Sequence, residues 1–277
     1  MKHLTIMLKP ASSLCNLRCK YCFYADITSL RDVFSFGIME DRTMRAVIDH
    51  IFMDLDDGDH LTLSFQGGEP MLVGLSFYRK LENYIAEKGR KIHVNYTIQT
   101  NGILLDDDWC SFFCKYDFLV GISFDILPES HDAARIDTAG HGTYEKVLHA
   151  VSLLKKYQIE HNILCTLTHQ TAGHPSRVWT QIRRLDLDHV QFTPCLGYLN
   201  SPGTSVYALT PDRFFHFYSD LFDLWYRDLT AGNYRSIKLF DDLLQLLAKG
   251  LVTSCGIGGY CQPQIVVEAD GLSLIHI

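Results

Sequence analysis

The chain lacks a basic tract, a long apolar run, an internal repeat, a low-complexity segment and a clear interdomain linker. Its 25 lysines and arginines are interspersed among 32 aspartates and glutamates, for a formal charge of −7. That distribution offers nothing to neutralise a phosphate backbone, so nucleic acid is not an expected partner. The apolar runs are strand-sized and fall short of the roughly 20 residues that span a bilayer. The stretch from Met1 to Pro10 is too briefly apolar for a secretory signal. These absences point to the cytoplasm and to no membrane partner.

What is present is a large apolar fraction, 47% of 277 residues. That suffices for one sizeable α/β domain plus a fragment of a second. Nine cysteines is a high count for a reducing compartment, where metal binding or catalysis is a better explanation than disulfides. Cys15, Cys19 and Cys22 are clustered, and Cys255 and Cys261 form a looser pair. Cys110, Cys114, Cys165 and Cys195 lie in apolar segments, where free cysteine packs as a small hydrophobe.

Apolar runs of strand length recur at Leu4–Leu8, Leu61–Gln66, Ile92–Gln99, Phe118–Phe124, Asn162–Thr168 and His189–Thr193. Helical patterns alternate with them: one capped by Asp41 and reaching about Asp54, then Leu75–Lys88, Asp106–Tyr116, Thr143–Tyr157 and Ser176–Leu185. The alternation predicts a parallel sheet with right-handed crossovers, either open or curled into a partial barrel. Ligands of such sheets collect at the carboxyl ends of the strands. The unusual residues fall there: the cysteine cluster, Gly67-Gly68-Glu69-Pro70, Thr100-Asn101-Gly102, Ser123 with Asp125, and Pro194-Cys195-Leu196. The aromatic stretch Pro211–Leu229 is expected to pack on the sheet.

Cys15-Asn16-Leu17-Arg18-Cys19-Lys20-Tyr21-Cys22 sets three thiols on one short loop. Iron–sulfur clusters are held by cysteine thiolates, normally four, so three would leave one iron open to a chelating ligand. The alternatives are a zinc knuckle, which wants four closed ligands, or unrelated free cysteines. On the same footing, Gly67-Gly68-Glu69-Pro70 is an ordinary turn, Arg135 a solvated charge and Leu196 a core residue.

The Cys-x-x-x-Cys-x-x-Cys spacing with Tyr21 resembles the signature of the radical S-adenosylmethionine superfamily. More specifically, the chain resembles the anaerobic sulfatase-maturating enzymes. That likeness is carried by Lys9-Pro10-Ala11-Ser12-Ser13-Leu14-Cys15 through Cys22-Phe23-Tyr24, and by Phe36-Gly37-Ile38-Met39, Gln66-Gly67-Gly68-Glu69-Pro70 and Gln99-Thr100-Asn101-Gly102. Asn162-Ile163-Leu164-Cys165, Leu221 to Tyr226 and Cys255-Gly256 to Cys261 extend it to about Gly271.

The resemblance implies an α/β fold, a partial (β/α)6 TIM-like barrel over residues 1–235. Residues 236–277 would hold a connecting helix and the start of a C-terminal auxiliary iron–sulfur (SPASM) domain. It implies a [4Fe–4S] cluster on Cys15, Cys19 and Cys22, with S-adenosylmethionine chelated to the open iron and cleaved to a 5′-deoxyadenosyl radical. Gly67 and Gly68 would approach the methionyl amino group. Ser123 and Arg135 would contact the ribose and the methionyl carboxylate, and the main chain at Tyr21 and Leu196 would border the adenine. Tyr24 and Gln66 would face the substrate. Cys255 and Cys261 would ligate an auxiliary [4Fe–4S] cluster, completed in the full-length protein.

The implied reaction oxidises a cysteine or serine of an unfolded or nascent sulfatase to formylglycine. A base takes the thiol or hydroxyl proton, and an electron leaves to the auxiliary cluster. A donor such as flavodoxin or ferredoxin would supply the reducing electron, and the protein would be a monomer. The family pattern would next require a cysteine followed by the aspartate that acts as base. This chain instead reads Leu272-Ser273-Leu274-Ile275-His276-Ile277, so it is expected to be C-terminally truncated, with no catalytic base assigned and no ligand role for His276. Two other functions stand beside this one: maturation of a different ribosomal peptide by the same chemistry, and a non-catalytic metal-binding role.

Overall fold

The computed structural model describes residues 1–201, 203–259 and 264–276. Six parallel strands follow the sequence reading to within a residue: β1 (His3–Leu8), β2 (His60–Phe65), β3 (His93–Thr100), β4 (Phe118–Ser123), β5 (His161–Leu167) and β6 (His189–Pro194). Three further strands extend the sheet: β7 (Ser236–Ile237), β8 (Gln264–Val267) and β9 (Ser273–His276). The strand order is β7-β6-β5-β4-β3-β2-β1-β8-β9. Every pairing is parallel except β8 with β9.

Ten helices are described: α1 (Phe23–Ser29), α2 (Asp41–Met53), α3 (Leu75–Glu87), α4 (Asp107–Lys115), α5 (Pro128–Ala134), α6 (Tyr144–Lys156), α7 (Pro175–Arg184), α8 (Pro211–Thr230), α9 (Lys238–Lys249) and α10 (Cys255–Gly258). The sequence reading expects neither α1 nor α5, each of seven residues, because two turns are too short to show a helical period. Asp41 is not the cap of α2. Glu40 holds that position without a side-chain cap, and Asp41 pairs instead with Arg45 one turn on.

The strands alternate sharply between their two faces. Leu61, Leu63, Phe65, Tyr96, Ile98, Val120, Ile122, Ile163, Leu167, Val190 and Phe192 are buried on the side the helices cover. Phe65 packs edge-on against Tyr78 of α3 and Phe192 edge-on against Phe217 of α8, while Phe118 and Phe113 of α4 pack tilted. The opposite face carries Ser64, Thr97, Gln99, Ser123, Thr166 and Gln191, with Gln99 donating to Ser123 and Thr97 to Ser64. A closed eight-stranded barrel fills that space with branched apolar side chains. Here it carries serines, threonines and glutamines beside Leu119 and Leu164. Gly121 makes the room, since a Cβ there would lie 2.1 Å from Gln99 Oε1.

The sheet curls. Tyr198, after β6, donates to the Lys20 carbonyl after β1 at 3.1 Å, and the Leu199 amide donates to Asp26 at 3.0 Å. Five inter-strand steps of about 4.8 Å would hold those loops roughly 24 Å apart on a flat sheet. The α/β partial barrel is therefore as expected, open at β7 and β9 among the described residues. The aromatics of α8 divide between the two environments: Phe217, Tyr218 and Trp225 are buried, while Phe215, Phe222 and Tyr226 are exposed. Cys110, Cys165 and Cys195 pack in the core, but Cys114 is exposed, its thiol near the Tyr157 carbonyl. It sits one turn past Cys110, on the outer flank of α4.

Candidate active site

The loop after β1 is shaped by its neighbours before any ligand is considered. The Gly68 amide donates to the Ser12 carbonyl and the Glu69 amide to the Leu14 carbonyl, both at 2.8 Å. A Cβ on Gly68 would lie 2.1 Å from Leu14 O, and one on Gly67, with φ of +117°, 2.6 Å from Ser12 O. Only glycine permits that approach. The glycine pair thus seats the cysteine loop, a reason the sequence reading did not contain. Glu69, buried at the end of β2, accepts from Thr100 Oγ1 at 2.7 Å and from the Asn101 amide at 2.8 Å. It ties β2 to β3. Burial pushes its carboxyl up to about 7, against those hydrogen bonds.

Cys15, Cys19 and Cys22 are unpaired and half-buried. Cys15 Sγ accepts from the Leu17 amide at 3.4 Å and lies 3.7 Å from Asn101 Nδ2. Cys22 caps α1, its Sγ accepting from the Ala25 amide at 3.4 Å. Cys19 Sγ lies 4.0 Å from Arg135 Nη1. Burial pushes the Cys15 thiol up to about 12, and Cys19 and Cys22 add to the rise. Burial likewise raises Cys19, with Arg135 opposing. Such thiols ionise only beside added positive charge, which a metal cluster supplies. Partly exposed thiols with amide donors aimed at them fit an iron–sulfur group. A structural zinc wants four closed protein ligands, whereas a cluster held by three thiolates leaves one iron open; among the described residues the three thiols are not themselves drawn together as a metal-ion site.

Asp125 is the centre of the polar network. Fully buried, it accepts from the Tyr21 hydroxyl and from the Thr166 amide, the latter at 3.0 Å. Arg135 Nε stands 3.2 Å from Asp125 Oδ2. The Nε–H is nevertheless without a hydrogen-bonded partner, so the pair is held by charge rather than by alignment. The terminal nitrogens of Arg135 have only long contacts, 4.0 Å to Cys19 Sγ and 3.4 Å to Thr166 Oγ1. A buried guanidinium so loosely satisfied has donors free for a carboxylate.

Behind it, His131 Nδ1 accepts from the Asp125 amide at 3.2 Å, which leaves Nε2 to donate to Thr143 Oγ1 at 3.1 Å. Thr143 in turn donates to the Arg135 carbonyl. Burial lowers His131 to about 4, so the ring is neutral at pH 7. The sequence reading did not assign roles to Asp125, His131 or Asn101, although Asp125 and Asn101 stand at strand ends.

The fold brings the other expected residues to the same end. Ser123 closes β4 on the polar face, next to Gln99. The Tyr21 side chain is turned toward Asp125 and crossed by Arg135 at 5.4 Å, which leaves its main chain on the loop. Leu196 is 76% exposed, in the loop that Tyr198 and Leu199 fasten onto the cysteine segment. Tyr24 donates to Gln66 at 3.4 Å, and burial pushes its phenol up to about 12, with Glu268 and Cys22 adding. Cys255 opens α10, and Cys261 lies outside the described residues.

The model of the Radical SAM superfamily matches residues 10–178, from the loop after β1 into α7. The class of protein is therefore a radical S-adenosylmethionine enzyme, which uses a [4Fe–4S] cluster and S-adenosylmethionine. The cysteine-type anaerobic sulfatase-maturating enzyme of Clostridium novyi (strain NT) is 40% identical over 98% of this chain and 72% of its own length. The serine-type enzyme of Bacteroides thetaiotaomicron is 27% identical over 98% of this chain and 68% of its own. The solved structure of native anSMEcpe with bound AdoMet and Kp18Cys peptide superposes with a TM-score of 0.90 at 40% identity, over 98% of this chain and 73% of that one. The chain belongs to the anaerobic sulfatase-maturating enzymes of the radical S-adenosylmethionine superfamily.

Proposed function

We propose that this chain acts on a cysteine of a sulfatase polypeptide and oxidises it to formylglycine. The substrate class is supported by the 40% identity to a sulfatase-maturating enzyme over 98% of the chain, and the S-adenosylmethionine site by the position of Arg135, 4.0 Å from Cys19 Sγ across 116 residues of sequence. Cysteine is favoured over serine by the 40% identity to the cysteine-type enzyme against 27% to the serine-type.

In this reading Cys15, Cys19 and Cys22 hold the cluster. When bound, the cluster and S-adenosylmethionine would supply the one-electron chemistry that removes a hydrogen atom from the target Cβ; the thiol proton would pass to a base, the second electron to the auxiliary cluster, and water would replace the sulfur, which leaves as hydrogen sulfide. The protein's own part is orientation. Arg135 would hold the methionyl carboxylate through its terminal nitrogens, with its Nε beside Asp125. The backbone at Gly68 would take the methionyl amino group and Ser123 the ribose. The main chain at Tyr21 and Leu196 would flank the adenine, and Tyr24 and Gln66 would face the peptide. Cys255 and Cys261 belong to an auxiliary cluster in the segment 236–277, and residues 1–235 form the barrel. The polypeptide is bound unfolded, the reductant is of the flavodoxin or ferredoxin class, and the enzyme works as a monomer in the cytoplasm. No helix among the described residues is long and apolar enough to cross a membrane.

The test is anaerobic reconstitution with iron and sulfide. Reduced protein is then incubated with S-adenosylmethionine and paired peptides carrying cysteine, serine or alanine at the target position. Release of 5′-deoxyadenosine on reduction is expected, running ahead of peptide oxidation because no base is assigned among these residues, and any formylglycine should form in the cysteine peptide alone. Modification of an unrelated ribosomal peptide with the sulfatase peptides left untouched would transfer the chain to the second reading. Zinc as the sole bound metal would remove the catalytic one.

A further inference from the structure

Glu268 lies just past β8, far in sequence from the cysteine motif, yet it is 1% exposed. β8 pairs with β1 so that Val267 stands beside Leu8, and the Lys9 amide donates to the Val267 carbonyl at 2.9 Å. This register sets Glu268 against the start of the cysteine loop. Its Oε1 receives Lys9 Nζ at 3.0 Å and Arg31 Nη1 at 3.1 Å, and Ser12 Oγ lies 3.5 Å from Oε2. The Glu268 backbone is itself fixed, accepting from the Gly271 amide and donating to the Leu272 carbonyl, each at 3.0 Å.

The two cations flank the three cysteines. Lys9 and Ser12 precede Cys15. Arg31 follows α1, the helix that Cys22 caps. One carboxylate therefore holds both ends of the segment that carries all three thiols. Lys9 also reaches the site's other components: its stem lies where a Cβ on Gly67 would contact it at 3.3 Å, and its ammonium stands 5.5 Å from the centre of the Tyr24 ring. A buried ion pair adds little net stability over a packed apolar pair of the same volume. What it adds is direction, because a carboxylate accepts from two fixed donors along set lines.

We infer that Glu268 is a positioning residue for the cluster loop, clamping residues 9–31 at both ends through Lys9 and Arg31. The clamp is a property of the chain itself; its consequence for catalysis rests on reading Cys15, Cys19 and Cys22 as the cluster ligands. It makes the C-terminal segment a structural part of the S-adenosylmethionine site.

Hydrogen exchange on the metal-free chain tests the clamp apart from any activity. Glu268→Ala should speed exchange of the amides between Ser12 and Phe36 by at least about tenfold, since it orphans a buried ammonium. Amides of β2 to β6 should keep their parent rates. The double variant Lys9→Met with Glu268→Leu leaves no buried orphan and should regain the parent's melting temperature. It leaves Arg31 without its carboxylate, so the amides of α1 should stay fast, and the reduced reconstituted cluster should show an EPR spectrum shifted from the parent's. A merely stabilising pair would let the double variant recover all three. Parent-like exchange at α1 or a parent-like spectrum in the double variant overturns the inference. So does faster exchange spread evenly over the sheet in Glu268→Ala. If Glu268→Ala fails to fold, the double variant decides alone.

Discussion

Asp125 and Arg135 stand 3.2 Å apart, both buried, at the carboxyl end of the partial barrel. The contact joins the end of β4 to the residue that caps α5. Tyr21 of the cysteine motif hydrogen-bonds the same carboxylate. The charge pair thus lies where the motif, the fourth strand and the fifth strand's Thr166 meet.

Removing one charge of that pair should cost more than removing both. Asp125→Asn is expected to destabilise the chain by about 3 kcal/mol, the range for an orphaned buried charge. Asp125→Asn combined with Arg135→Gln should cost less than Asp125→Asn alone. Urea unfolding of the three proteins measures the coupling. Additive losses would show that the two groups do not interact.

Arg135→Ala should raise the concentration of S-adenosylmethionine needed for half-maximal 5′-deoxyadenosine release by roughly tenfold or more, the scale of one charge-assisted contact. The rate at saturation should change less than the half-saturation value. An unchanged half-saturation value would remove Arg135 from the binding site.

Cys22→Ala should abolish reductive cleavage rather than weaken it, because cluster ligation is shared among the three thiols. Iron analysis and the visible absorption of the reconstituted variant check the first step, and 5′-deoxyadenosine the second. Cleavage near the parent's rate would defeat the ligand assignment.

Gly68→Ala should disturb the same cluster without touching a cysteine. The added Cβ would meet the Leu14 carbonyl at 2.1 Å, and that neighbour is backbone. The loop must move, and iron retention after reconstitution should fall at least about tenfold, as expected for a severe backbone clash. Full iron loading of Gly68→Ala would show that the loop tolerates displacement.

His131 sets an acid limit on stability. Its folded value of about 4 lies below the ordinary 6.5, chiefly through burial. Between those values the unfolded chain binds the extra proton, so this contribution is complete above about pH 6.5 and is lost as pH falls toward 4. The shift corresponds to roughly 3 kcal/mol. Urea midpoints of the parent should decline across that window, and His131→Gln should flatten the decline. An equal slope in both proteins would place the acid sensitivity elsewhere.

The sequence by itself determined the six central strands, because apolar runs of strand length such as Leu61–Gln66 and Phe118–Phe124 recur between helical patterns, as buried parallel strands do. It determined the cysteine triplet as a unit, because three thiols within eight residues share one loop whatever the fold. It also carried the family resemblance, as an ordered set of short motifs. The tertiary structure decided what those residues lean on. Asp125 reads as one acid at a strand end until the curl of the sheet sets Tyr21, Thr166 and Arg135 around it. Ile126 beside it is buried with φ of +45°, a conformation no propensity would assign to a β-branched residue. Gly68 reads as a turn glycine until the Leu14 carbonyl closes over it. Glu268 has no role assigned from sequence, and the pairing of β8 with β1 buries it between Lys9 and Arg31. Each of these depends on contacts between segments distant in sequence, and a local pattern holds no record of which distant segment the sheet will bring alongside.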